Sequence, residues 1–98
     1  MSLINEYDFE LLENEAEKLV LQELENQLAV YQDEICRCKE CIMDMAAMAL
    51  NGVKPLYRVS LLGSLYTSEV MRNDEHYAKD VRDAVSNAIE KIRRNPAH

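Results

Sequence analysis

The stretch Cys36–Tyr57 reads CRCKECIMDMAAMALNGVKPLY. It decides the fold because it holds a helix start, a helix body and a helix stop in one piece. All three cysteines of the chain fall at its beginning, at Cys36, Cys38 and Cys41. An alanine- and methionine-rich run follows, in which Ile42, Met45, Ala46 and Ala49 are spaced three and four apart. That spacing places them on one helical face and predicts a helix from about Cys38 to Leu50. Asn51-Gly52 reads as a stop, since both residues tolerate the left-handed conformation that ends helices. Lys54 precedes Pro55, which pushes it toward extended geometry.

Two further helices flank this one. Upstream, Ala16, Val20, Leu24 and Leu28 recur every fourth residue, with Leu19 and Tyr31 beside them. They predict a helix from about Asn14 to Tyr31 with one apolar stripe. Its other face carries Glu15, Glu17, Lys18, Glu23 and Glu25. Downstream, Tyr77, Val81, Val85, Ala88, Ile89 and Ile92 form the clearest stripe of the chain. Asn73 or Asp74 can cap that helix, and Arg93-Arg94-Asn95-Pro96 closes it. Between the second and third helices, Leu56–Leu62 reads as an extended connector with no obvious partner strand, or as a strand pairing across a dimer. Residues 64–73 have the composition of a short helix. The expected fold is all-α, with three main helices plus short helical or extended connectors, in one domain over residues 1–98. Residues 1–12, with Leu3, Ile4, Tyr7, Phe9, Leu11 and Leu12, read either as a separate turn or as an N-terminal arm that docks on a partner chain.

Composition limits the function. The chain has 98 residues, 48% hydrophobic and 30% charged, with only two glycines and two prolines. A domain of this size buries little surface and leans on a metal, a disulfide or a partner chain. The net charge of −7 argues against bulk binding to DNA, RNA or an anionic membrane surface. No run approaches the roughly 18 apolar residues of a membrane span. The acidic N-terminus lacks the basic-then-apolar plan of a signal peptide, so the expected location is cytoplasmic. An odd number of thiols there disfavours a disulfide framework.

The cysteine spacing has its own geometry. Cys38 and Cys41 are three apart and share a helix face. Cys36 and Cys38 would diverge by roughly 200° on a regular helix. Cys36 is therefore expected before the helix, in a turn that curls back. Three thiolates gathered at a helix N-terminus suit zinc, and the dipole there favours their charge. A structural zinc usually takes four protein ligands, and the chain has no fourth cysteine. Metal ligation, a thiol-based redox role and passively buried thiols all fit this pattern. No glycine-rich phosphate loop, zinc-protease motif or deaminase-type pairing is present, so no enzyme activity is expected.

The same stretch resembles the signature of the ComFB family, on Cys36, Cys38, Cys41, Asp44, Met45, Ala47, Ala49, Leu50, Asn51, Val53, Pro55, Tyr57 and Val59. The chain departs from that pattern at Lys54-Pro55, where many relatives read Pro-Pro, and in lacking a later cysteine. The resemblance implies a small helical domain that forms a homodimer, intertwined in the expected architecture. It also implies zinc held by the cysteines in some members, and binding of a cyclic dinucleotide, cyclic diguanylate first. A role beside competence, pilus or motility systems, passed on through an unidentified protein partner, follows from the same source. The alternative is a zinc-stabilised structural adaptor with no small ligand. A cyclic dinucleotide needs guanidinium groups for phosphate or guanine edges and flat side chains for stacking. The candidates are Arg58, Arg72 and Arg82 with Tyr57, Tyr66 and Tyr77. Each of these arginines also fits an ordinary surface ion pair, and Tyr57 also fits a core or interface aromatic. Asp44 reads either as an anchor for a backbone N–H or Arg58, or as a solvated helix residue. Asn51 reads as the helix end, and Pro55 as the start of the extended connector.

Overall fold

The computed structural model of the protein describes residues 2–31, 34–59 and 75–96. Their elements run α1 (Leu3–Glu6), a single 3-10 turn (Phe9–Leu11), β1 (Glu13–Asn14), α2 (Glu15–Tyr31), α3 (Lys39–Asn51), β2 (Tyr57–Arg58) and α4 (Glu75–Arg94). The helical architecture follows the periodicity closely. The buried side chains of α2 are Ala16, Val20, Leu24 and Leu28, the fourfold repeat itself. Those of α3 are Cys41, Met45, Ala46 and Ala49. The α4 stripe from Tyr77 to Ile92 is buried throughout.

These three stripes and Ile35 make one core. Met45, Ile89, Val20, Val85 and Cys41 are its largest fully enclosed side chains. Helix α4 packs on both α3 and α2, most extensively on α3. Burying an aliphatic side chain of this kind is worth about 1.5–3 kcal/mol, so these stripes carry most of the domain's stability. Tyr77 joins the core by its ring, and its hydroxyl donates to the Lys54 carbonyl at 2.8 Å. Burial, with a smaller push from Asp80, raises its pKa above the ordinary phenol value.

Three local expectations change. First, the helix after the cysteines begins at Lys39, and Cys38 is its N-cap in extended geometry. Cys38 and Cys41 meet through that cap and not by sharing a helical face. Second, Gly52 ends α3 with φ −95° and ψ 0°, so the stop uses no left-handed residue. A Cβ at Gly52 would stand 3.3 Å from the Ala84 Cβ of α4. The end of α3 thus approaches α4 closely, and a side chain at Gly52 would press on Ala84. Third, the connector after Pro55 has a partner strand. Tyr57–Arg58 pairs antiparallel with Glu13–Asn14 of the same chain, in register Glu13↔Arg58 and Asn14↔Tyr57.

The strand pair is held by a side chain as well as by its ladder. The Leu56 carbonyl accepts from the Glu15 backbone N–H at 2.8 Å. The Asn14 Oδ1 accepts from the Ala16 N–H at 3.1 Å and from the Leu56 N–H at 2.7 Å. Asn14 thus caps α2 and pins the connector in one contact set. Nothing in residues 3–12 is buried; Leu3, Ile4, Tyr7, Phe9, Leu11 and Leu12 are all exposed. The cap at Asn73 or Asp74, the short helix over 64–73, Tyr66 and Arg72 lie outside the described residues.

Candidate functional site

The cysteines form one cluster at the turn between α2 and α3. Their Sγ atoms all lie within 4.8 Å of one another. Cys36 stands in the turn before the helix, as the spacing requires, and is exposed; Cys38 is half-buried and Cys41 buried. The Cys38 Sγ accepts the Cys41 backbone N–H at 3.4 Å, which fixes two of the three sulfurs at the mouth of α3. Hydrogen bonding from the Cys38 backbone N–H holds the Cys36 thiol below its ordinary pKa, and the Cys38 and Cys41 thiols add to this.

Thiolates about 2.3 Å from a tetrahedral zinc stand roughly 3.8 Å apart, so these sulfurs need only a small inward movement. The donor set fits zinc or another thiophilic cation. Among the described residues the cluster offers three protein ligands and no fourth. A cavity of about 40 Å3 beside Cys36 and Cys41 is lined by Glu34, Ile35 and Met45, with Ile92, Arg93 and Pro96 of the α4 end. Arg37, between two of the cysteines, donates from its guanidinium to the Leu28 carbonyl. That carbonyl is one of the last four of α2, which lack helical partners, and α2 has no basic residue of its own in its last turn. The cysteine turn is therefore also the C-terminal clamp of α2.

The second candidate region lies by the strand pair. A groove of about 860 Å3 runs between the start of α2 and the end of α3. Asn51, Pro55 and Tyr57 line it together with Leu12, Asn14 and Lys18. Tyr57 is 59% exposed, so it is neither a core aromatic nor tied down by burial. Asn51 is the last helical residue of α3, and both it and Pro55 are exposed.

Arg58 lies beside this groove in the strand pair, and two carboxylates already engage it. Its guanidinium donates to Glu13 at 2.7 Å and to Glu15. Asp44 is exposed and is not among the ion-pair partners of Arg58, so its anchoring role toward that arginine is replaced by Glu13 and Glu15. Arg82 lies elsewhere, against the opposite flank of α2, where its backbone carbonyl accepts from Gln27 and its side chain is exposed. Tyr57 and Arg58 are successive strand residues with side chains on opposite faces, so of the two only Tyr57 lines the groove, and Arg82 lies apart from both.

Glu13, Glu15 and Asn14 carry no mark of site residues in the sequence. Their one signal is local: asparagine just before the first periodic position, with Glu17 three residues on, is the pattern of a capped helix start. The partnership with Arg58 has no local signal at all. It does have a consequence for acid stability. The hydrogen bond from Arg58 holds the Glu15 carboxyl below the usual carboxylate range. A carboxyl depressed in the folded state contributes fully above its unfolded pKa, and that contribution is lost as pH falls through the folded value. Thermal melts from about pH 6 down to about pH 3 should therefore fall less steeply in Glu15→Gln than in the parent. Equal acid slopes would show that the pair contributes nothing.

Comparison with known proteins adds a family and a fold. The model of a family described as late competence development protein ComFB matches residues 13–96. A comparison with curated proteins finds no match. Among solved structures, the chain resembles the late competence protein ComFB from Bacillus subtilis with a TM-score of 0.66 and 23% identity. The match covers 88% of this chain and 94% of that one, and at this identity the likeness is one of fold.

Proposed function

The chain belongs to the ComFB family, and from that premise we propose that it is a non-enzymatic cytoplasmic signalling module that binds a cyclic dinucleotide as a homodimer. Cyclic diguanylate is the first candidate ligand. The observation that carries this reading is the groove: Leu50, Asn51, Val53, Pro55 and Tyr57, which all match the family's motif, line a single groove of about 860 Å3. That volume lies within the range of about 300–1,000 Å3 typical of small-molecule sites. Tyr57 offers an exposed ring on which a purine can stack, and Lys18, also in the groove lining, offers a cation for phosphate. Two copies related by a two-fold axis suit a ligand that is itself two-fold. In this reading Cys36, Cys38 and Cys41 hold a structural zinc that fixes the turn between α2 and α3. The output passes to a protein partner; the net charge of −7 disfavours nucleic acid and membrane surfaces.

Calorimetry with cyclic diguanylate and cyclic diadenylate tests the ligand. Saturable heat is expected with the first. Tyr57→Ala should weaken binding about tenfold or more, since stacking on an aromatic contributes about 1–3 kcal/mol per base. No heat with either nucleotide at high micromolar concentration would remove the ligand from the reading.

A zinc-stabilised adaptor without a small ligand is the second reading. The engagement of Arg58 by Glu13 and Glu15 favours it, because an incoming phosphate must displace carboxylates already in place. Absence of nucleotide binding, together with zinc in the purified protein, is the result that would select it.

A further inference from the structure

The cysteine turn grades its thiols from outside to inside. Cys36 is exposed, Cys38 half-buried and Cys41 buried, with all three sulfurs within 4.8 Å of one another. We propose that Cys36 is a site of oxidation by a peroxide, and that the Cys36–Cys38 disulfide formed there expels the metal and loosens the clamp between α2 and α3.

The Cys36 and Cys38 sulfurs are both more open than the buried Cys41, and Cys36 is the more exposed residue of the two. The Cys36 sulfur attacks one oxygen of hydrogen peroxide, the O–O bond breaks, and the second oxygen leaves as water. The sulfur is now a sulfenic acid. The Cys38 sulfur, within the same cluster, displaces that hydroxyl, forms the S–S bond and releases a second water. Two thiols and one peroxide give one disulfide and two waters; the two sulfurs lose two electrons and the peroxide gains them.

The two sulfurs already lie within 4.8 Å of each other. Cys36 lies in the turn before the helix, and Cys38 is the N-cap, where its carbonyl accepts from the Ile42 N–H at 3.0 Å. Two consequences follow for the rest of the molecule. Only the Cys41 thiolate remains for the metal, and one protein ligand does not retain zinc. The Cys38 sulfur is also the acceptor for the Cys41 N–H. A disulfide sulfur carries less negative charge than a thiolate, so the first turn of α3 loses a cap. Arg37 sits between the two joined residues and donates to the Leu28 carbonyl. Rearrangement of the turn therefore reaches the C-terminal end of α2.

The metal expulsion rests on the zinc centre proposed above, whereas the thiol chemistry does not. The test uses the full chain, once loaded with zinc and once stripped by a chelator, each treated with hydrogen peroxide. Peptide mass mapping should place one disulfide between Cys36 and Cys38 in both preparations. A zinc-binding dye should report release of metal in step with disulfide formation in the loaded one. If the purified chain takes up no zinc but still forms the disulfide when stripped, the zinc reading fails and the oxidation site stands. Retention of three alkylatable thiols after peroxide would overturn the proposal, as would oxidation of Cys36→Ser at the parental rate. A pulse of iodoacetamide on the unmodified, metal-free protein gives a check independent of any variant. Cys36 should be alkylated at least about tenfold faster than Cys41, following its exposure; equal rates would overturn the assignment of Cys36 as the reactive thiol.

Discussion

Ile89→Ala is expected to cost about 2–5 kcal/mol, the range for deleting a buried aliphatic side chain to alanine. Ile89 is fully enclosed. It lies on α4, the helix that packs against both α2 and α3, so the void falls in the one core that joins the three helices. Its neighbours along the stripe, Val85, Ala88 and Ile92, are themselves buried and leave little freedom to close the gap. A small domain has about 5–15 kcal/mol in all, so the loss takes a large part of the stability. Urea unfolding should show the midpoint moving down with the slope little changed. Val30→Ala is the control: Val30 is 80% exposed on α2, and its truncation should stay within about 0.5 kcal/mol. A loss below about 1 kcal/mol for Ile89→Ala would mean that α4 does not seal this core.

Asn14→Ala is the second large expectation, at about 2–3 kcal/mol, from a residue that is only half-buried. Two separate losses add. Removing an N-cap side chain costs about 1 kcal/mol, here the contact to the Ala16 N–H. The Leu56 N–H then also loses its 2.7 Å acceptor, and a donor left unsatisfied costs about 1–3 kcal/mol, less where water reaches it. Asn14→Asp retains the accepting oxygen and places a negative charge at the start of α2, so it should keep most of the parental stability. Amide exchange at Leu56 should accelerate in the alanine variant and stay slow in the aspartate one. Equal melting of Asn14→Ala and the parent would show that the strand ladder alone holds the connector.

Ile89 and Asn14 differ in how far the sequence announces them. The role of Ile89 is written in its own neighbourhood: Val81, Val85, Ala88 and Ile92 mark the buried face by their spacing alone. Much of the cysteine cluster is legible in the same way, because two residues two apart cannot share a helix face and Cys36 has to precede the helix. The double contact of Asn14 is not legible. Half of it, the cap, has a local pattern; the other half reaches a backbone N–H that lies 42 residues away.

Arg58 shows why a set of ligand candidates drawn from residue type misleads. A guanidinium near an aromatic suits a nucleotide phosphate, yet its partners depend on which carboxylates the fold brings alongside. The pairing of β1 with β2 sets Glu13 opposite Arg58, and Glu15 opens α2 within reach of the same guanidinium. Gly52 teaches the same lesson about backbone. An Asn-Gly pair at a helix end suggests left-handed geometry, whereas here the glycine clears space for Ala84.

Local pattern in the chain suffices for the three main helices, the faces they bury and the gathering of the thiols at one turn. Those features depend on the 3.6-residue repeat and on capping, which act over a few neighbouring residues. The short strand pair, the groove lined by the motif, the capture of Arg58 by Glu13 and Glu15, and the grading of the cysteines from exposed to buried arise only in the packed molecule. Each of these requires segments distant in the chain to meet. Their meeting is fixed by how the apolar stripes pack, not by any pattern within either segment.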